Sequence, residues 1–150
     1  TASFTKRPLW FVMDGIGCQW PGMGLELMKI DAFAESMLKS AEIMKTLGVD
    51  LFEILKEDGK NSSGARNITS TIIGICSIQM ALIDVLKHLR ITPDGIVGHS
   101  TGEIACAYAD GCLTAEEVLK SAYYRGKAID DANLPEGGMI AVGMEKTAFY

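Results

Sequence analysis

One hundred and fifty residues, 48% apolar and 22% charged, have the composition of a soluble globular domain able to bury one good core. The formal net charge of −5 is spread along the chain without a basic patch or interleaved aromatics, which argues against a nucleic-acid partner. No run is read as reaching the ~20 apolar residues of a membrane helix, no secretory leader opens the chain, and Cys18, Cys76, Cys106 and Cys112 show no C-x-x-C spacing, so free thiols, no metal and a cytoplasmic setting are expected.

The chain opens at Thr1 without a Met and stops at Lys146 to Tyr150 in what reads as the first turn of an element, the pattern of a piece of something larger. Leu9-Trp10-Phe11-Val12-Met13 is a short apolar run after Pro8 and reads as a buried parallel strand. The loop Asp14 to Gly24 carries four glycines, and a helix is expected to begin near Gly22 to Leu25. A Gly-rich loop after a strand suggests phosphate binding, but a dinucleotide fingerprint would need glycine where Trp20 stands, and no Gly-Lys-Ser/Thr follows. Asp31 is placed to cap a helix on which Phe33, Met37, Ala41, Met44 and Leu47 recur, with Gly48 just past its end. Asp50 caps a short helix carrying Leu51, Phe52, Ile54 and Leu55, and residues 59–67 read as a polar loop. Ile75, Ile78, Leu82, Val85, Leu86 and Leu89 then recur with helical spacing, predicting a long buried helix over 68–91 with His88 favourably placed at its C-terminal end.

Pro93-Asp94-Gly95 is a turn, Ile96-Val97 a strand, and Gly98-His99-Ser100-Thr101-Gly102-Glu103 a G-x-S-x-G pattern running into helical sequence. That order suits nucleophilic chemistry. A tight strand-to-helix turn projects the Ser100 hydroxyl clear of the backbone, Gly98 and Gly102 remove side chains that would block the turn, and the Thr101 N–H points at an oxyanion beside Ser100. His99 is adjacent in sequence, but neighbouring side chains diverge at an elbow, so it is not read as the base. Ile104 to Ala109 continues as a helix of small residues, broken at Asp110-Gly111-Cys112. Thr114 and Glu117 form a capping box for a helix over 115–129, on which Val118, Ala122, Arg125 and Ile129 share one core-facing stripe. A guanidinium there must find an anion or reach water. Residues 133–138 form a Pro/Gly loop, and Met139 to Val142 reads as a further strand. Alternating strands and helices give an α/β class with a parallel sheet and the serine at the carboxyl end of a strand.

Several of these stretches together resemble one family, the malonyl/acetyl transferase domain of animal type I fatty acid synthase: residues 8–12, 15–20 and 22–24, 98–103, and 107–113 continued by 121–126. The resemblance implies an α/β-hydrolase-like acyltransferase subdomain over 8–137, left incomplete, after a tail or linker end over 1–7, and a ferredoxin-like subdomain beginning at 138–150. It implies transfer of malonyl or acetyl from malonyl-CoA or acetyl-CoA, through an ester on Ser100, to the pantetheine thiol of an acyl carrier protein domain, with no bound cofactor, inside a homodimeric multienzyme. By the same resemblance, the backbone N–H groups of Cys18 and Thr101 form the oxyanion hole, Gln19 neighbours the nucleophile, Arg125 binds the malonyl carboxylate, and His99, Gly98, Gly102 and Glu103 shape the site. Asp14 and Pro21 depart from the family pattern. The family's general base, a histidine about a hundred residues after the serine, has no counterpart in this chain. A polyketide synthase acyltransferase, an α/β-hydrolase esterase, and a noncatalytic scaffold are the alternatives.

Overall fold

The computed structural model describes residues 7–56, 67–132, 134–135, 137–138, 140 and 142–143. Strand β1 (Trp10–Met13) is followed by a 3-10 helix (Leu25–Lys29), α1 (Asp31–Lys45), α2 (Leu51–Lys56), α3 (Ile68–His88), strand β2 (Gly95–Gly98), α4 (Gly102–Asp110) and α5 (Ala115–Asp131). The two strands pair in parallel, Trp10 opposite Gly95 through Met13 opposite Gly98. The α/β alternation is as expected.

Helix α3 is the centre of the core. Ile72, Ile73, Ile75, Cys76 and Met80 on it are buried among Phe33, Met37 and Met44 of α1, Leu51 and Leu55 of α2, and Val118, Leu119 and Ala122 of α5. By length and hydropathy alone α3 would pass for a membrane span, with a mean hydropathy of 1.7 over 18 residues, contrary to the expectation that no run is so apolar; 61% of that window lies inside the protein. Its apolar residues are needed because helices surround it on several sides. Its N-terminus is satisfied twice: Asn67 Oδ1 accepts from the Ser70 N–H at 2.9 Å, and the Asp130 carboxylate of α5 accepts from the N–H groups of Ile68 at 3.2 Å and Thr69 at 2.9 Å. The two helices meet so closely that a Cβ on Gly126 would lie 2.4 Å from Thr69 Cα.

A second, smaller cluster sets the sheet on this layer: Phe11 and Met13 of β1 pack with Ile83 of α3 and Ala105 of α4. Tyr108 of α4 donates to the Asp84 carboxylate of α3 at 2.8 Å, while Lys87 lies 4.5 Å from the Tyr108 ring centroid, fixing α4 on α3. Burial and then the Asp84 carboxylate raise the Tyr108 phenol above its ordinary range. The opposite face of the sheet is open: Trp10, Val12 and Val97 are exposed by 56%, 70% and 47%. Strand β1 is therefore buried on one face only, where the apolar run led us to expect burial on both.

Several boundaries shift from the sequence reading. The helix expected to begin near Gly22 to Leu25 starts at Leu25, as a five-residue 3-10 helix. Asp31 is the first residue of α1 rather than its cap, which is Ile30 without a side-chain bond; a carboxylate in the first turn still complements the helix dipole. Asp50 does cap α2, its Oδ1 accepting from the N–H groups of Phe52 at 3.0 Å and Glu53 at 3.1 Å. The Thr114 and Glu117 capping box forms as read, and α5 runs two residues past 129. Of the loop expected over 59–67, residues 59–66 lie outside the described residues, as do Met139 and Ala141 of the expected final strand; Ile140 and Val142 carry no regular structure. The subdomain expected over 138–150 accordingly falls mostly outside what is described.

Candidate active site

The parallel ladder runs one residue past β2, because the His99 N–H donates to Met13 O at 2.9 Å, and then the chain reverses. Ser100 sits at φ 57°, in the left-handed region. A residue with a Cβ holds that conformation at a cost of ~1–3 kcal/mol, and only where its surroundings over-determine it. Here they do. The N–H groups of Gly102, Glu103 and Ile104 return to the carbonyls of His99, Ser100 and Thr101 at 3.0, 3.2 and 3.2 Å, closing the turn into α4. A Cβ on Gly98 would meet Glu103 N and Cα at 2.7 Å, and one on Gly102 would meet Met13 O at 2.2 Å. Both glycines of the pattern are thus places where backbone passes backbone. Ser100 itself is exposed at the tip.

The loop after β1 is pressed against this elbow. A Cβ on Gly15 would lie 2.7 Å from His99 O and 3.0 Å from Ser100 Cβ. The next residue, Ile16, donates its N–H to Thr101 Oγ1 at 3.2 Å, and Thr101 is only 3% exposed. Gly17, at φ 116°, donates to Gln19 Oε1 at 2.8 Å, so the Gln19 side chain closes its own loop. The Asp14 carbonyl accepts from Gln79 Nε2 of α3 at 2.8 Å. Among the described residues, the backbone N–H groups of Thr101 and Cys18 donate to no carbonyl. These are the two donors expected to face an oxyanion.

The titratable groups beside the elbow sort themselves by environment. The Cys18 thiol is raised above its ordinary value, by burial first and the Asp14 carboxylate second, and is therefore protonated at neutral pH. His99 Nδ1 stands 3.8 Å from Asp14 Oδ1, with side chains 81% and 71% exposed, a loose surface pair worth little in water. Glu103 lies exposed in the first turn of α4, where its charge suits the helix N-terminus. His88, the other histidine, ends α3 at the surface. Among the described residues no hydrogen bond joins either histidine to Ser100, and no cluster of three metal-ligating side chains forms.

Arg125 corrects one expectation. The buried stripe of α5 is Ala115, Val118, Leu119, Ala122 and Gly126, and Arg125 is exposed beside it, about 60° round the helix from Ala122. Ile129, expected on the same core face, is 38% exposed. The guanidinium makes no ion pair among the described residues, yet its field reaches Cys76, whose thiol burial raises to about 12 and Arg125 lowers. Sequence reasoning missed Gln79; its signal was an amide placed inside an otherwise apolar helix.

The family model of the acyl transferase domain matches residues 10–149. The chain is similar to the reducing polyketide synthase hmp8 of Hypomyces subiculosus, 40% identical over 148 residues that make up 97% of this chain and 6% of that protein. It therefore spans only a small part of the length of such curated relatives, which are fungal polyketide synthases and not the animal fatty acid synthase its motifs resemble. Among solved structures it is similar to the acyl transferase domain of ZmaA, with a TM-score of 0.77 and 25% identity over 89% of this chain and 32% of that one. It is likewise similar to the malonyl-CoA:ACP transacylase of Synechocystis sp. PCC 6803, with a TM-score of 0.73 and 25% identity over 84% of this chain and 41% of that one.

Proposed function

The chain belongs to the acyl transferase domain family, and from that premise we propose that it moves a malonyl-type acyl group from coenzyme A to the pantetheine thiol of an acyl carrier protein within a polyketide synthase. The observation that carries this reading is Ser100, held at φ 57° on an exposed turn between a strand and a helix. In the proposed reaction the Ser100 hydroxyl oxygen attacks the thioester carbonyl and gives its proton to a base. The oxyanion collapses, the coenzyme A thiolate leaves and takes up a proton, and an ester remains on Ser100. The carrier thiol then attacks that ester by the reverse sequence and restores the hydroxyl.

The N–H groups of Thr101 and Cys18 are proposed to hold the oxyanion in both steps. Gln19 shapes the Cys18 side of the loop through its bond to Gly17, and Arg125 supplies a planar cationic fork for the free carboxylate of malonyl. The raised Cys18 thiol favours Ser100 over Cys18 as the nucleophile. Neither His88 nor His99 is bonded to Ser100, so in this reading the base comes from outside residues 1–150. A fatty acid synthase of animal type would run the same chemistry; the relatives favour the polyketide setting.

The test is trapping with labelled malonyl-CoA in the full-length protein, followed by peptide mass spectrometry. An ester is expected on the peptide containing Ser100 and none after Ser100→Ala. An adduct that persists on the variant refutes the assignment.

A further inference from the structure

Helix α3 buries most of its residues from Thr71 to Ile83, and Gln79, half-buried with its Oε1 out of contact with water, is the one long polar side chain in that stretch. Burying an amide is unfavourable unless hydrogen bonds compensate, and Met or Leu would pack there without that cost. Gln79 makes one such bond, Nε2 to Asp14 O at 2.8 Å, and its Oε1 is buried without a partner among the described residues. The orientation of the amide follows from its partner: Asp14 O can only accept, so the NH₂ group must face it.

What Gln79 holds is the first peptide of the loop that faces the elbow. A peptide group is planar, so anchoring the Asp14 carbonyl on α3 also fixes the plane leading into Gly15. The following donors are then accounted for in order: Ile16 N–H goes to Thr101 Oγ1, Gly17 N–H goes to Gln19 Oε1, and Cys18 N–H is left free of any carbonyl. From the other side, the same Asp14 oxygen would lie 2.7 Å from a Cβ on Gly102. The Asp14 carbonyl is thus wedged between α3 and the second glycine of the elbow.

We propose that Gln79 is a positioning residue of the acyl transfer site, which clamps the Asp14 peptide and so holds the Gly15–Ile16 backbone against Ser100 and Thr101. This rests on the transferase reading above. Its effect belongs to the transition state, because the charge that backbone donors at the elbow would meet develops only there.

The test uses the full-length protein with Gln79→Met, which keeps side-chain length and apolar packing but removes the donor, and Gln79→Glu, which keeps the shape but turns an acceptor on an acceptor. Both are expected to slow Ser100 ester formation ~10- to 100-fold, the scale of a misplaced catalytic group, with KM for the acyl donor within about twofold of wild type. Gln79→Met is expected to melt at or above the wild-type temperature, since an unsatisfied buried oxygen is removed. A wild-type rate in both variants, a loss confined to KM, or a loss that appears only with a fall in Tm overturns the inference and leaves the transferase reading standing. Wild-type protein that forms no ester overturns the transferase reading, and the role of Gln79 with it.

Discussion

Replacing Gly102 with Ala adds a single methyl group, and the structure says where it goes. The new Cβ would stand 2.2 Å from Met13 O, 2.6 Å from Met13 C and 2.7 Å from Asp14 O. A carbon and a carbonyl oxygen approach no closer than about 3.3 Å even in a weak C–H···O contact, so the end of β1 and the start of α4 must separate by ~1 Å. All three atoms are backbone, in a ladder that His99 extends, and no side chain can rotate to relieve the overlap. Overpacking of this kind costs ~1–3 kcal/mol, which in a domain of this size lowers Tm by about 2–12 °C. The functional loss is expected to be larger, because the shift separates the elbow from the Gly15–Ile16 loop packed on it, and ~1 Å at a reacting group costs on the order of 10²-fold. Quench-flow measurement of ester formation on Ser100, beside a thermal melt, tests both numbers in the full-length protein. Gly137→Ala is the matched control, since its Cβ meets nothing within 4 Å. Ester formation and Tm indistinguishable from wild type in Gly102→Ala would refute the idea that backbone crowding at Gly102 sets the elbow.

Arg125→Ala is expected to slow malonyl transfer ~10- to 100-fold more than acetyl transfer, because only malonyl offers a carboxylate to the guanidinium; equal losses on the two donors would make Arg125 a structural residue. Little stability should go with it, since Arg125 is exposed and makes no ion pair among the described residues. Glu117, whose carboxylate accepts from the Thr114 N–H and hydroxyl at 2.8 Å each, is held below its ordinary pKa by those bonds in that order. A depressed folded-state pKa contributes stability above the unfolded value and loses it as pH falls through the folded one. The gap in urea midpoint between wild type and Glu117→Ala should therefore be full at neutral pH and narrow below the carboxylate range; a pH-independent gap would rule out the ionised cap.

Periodicity made most of the fold legible. The 3.6-residue repeat that places Phe33, Met37 and Met44 on one face, and the longer one through Ile75 and Ile78, correspond to α1 and α3, and the Thr114 box marks the start of α5. The elbow was readable from two glycines, although the left-handed φ of Ser100 was not: nothing in a serine announces that its neighbours force it there. Arg125 misled because spacing assigns a face only to within the width of the stripe, and its neighbour Gly126 turns inward instead. Gln79 was invisible to the same method, which scores apolar recurrences and passes over the amide between them. Its partner Asp14 lies 65 residues away, a distance that only the folded chain closes.

The pairing of β1 with β2 also sets a clock. The elbow and the loop that completes it are 85 residues apart, as the bond from Ile16 to Thr101 measures. A ribosome adding ~5–20 residues per second leaves β1 waiting about 4–17 s for its partner strand to be made. During that interval α1, α2 and α3, which close over shorter loops, can assemble first. Trp10, Phe11 and Val12 are meanwhile an apolar segment without its partner strand β2, the kind of segment that chaperones bind and that misassembles when they do not. The Ser100 elbow thus acquires its geometry only after β2 has been made, and a half-made chain presents the apolar segment of β1 well before it presents the turn that holds Ser100.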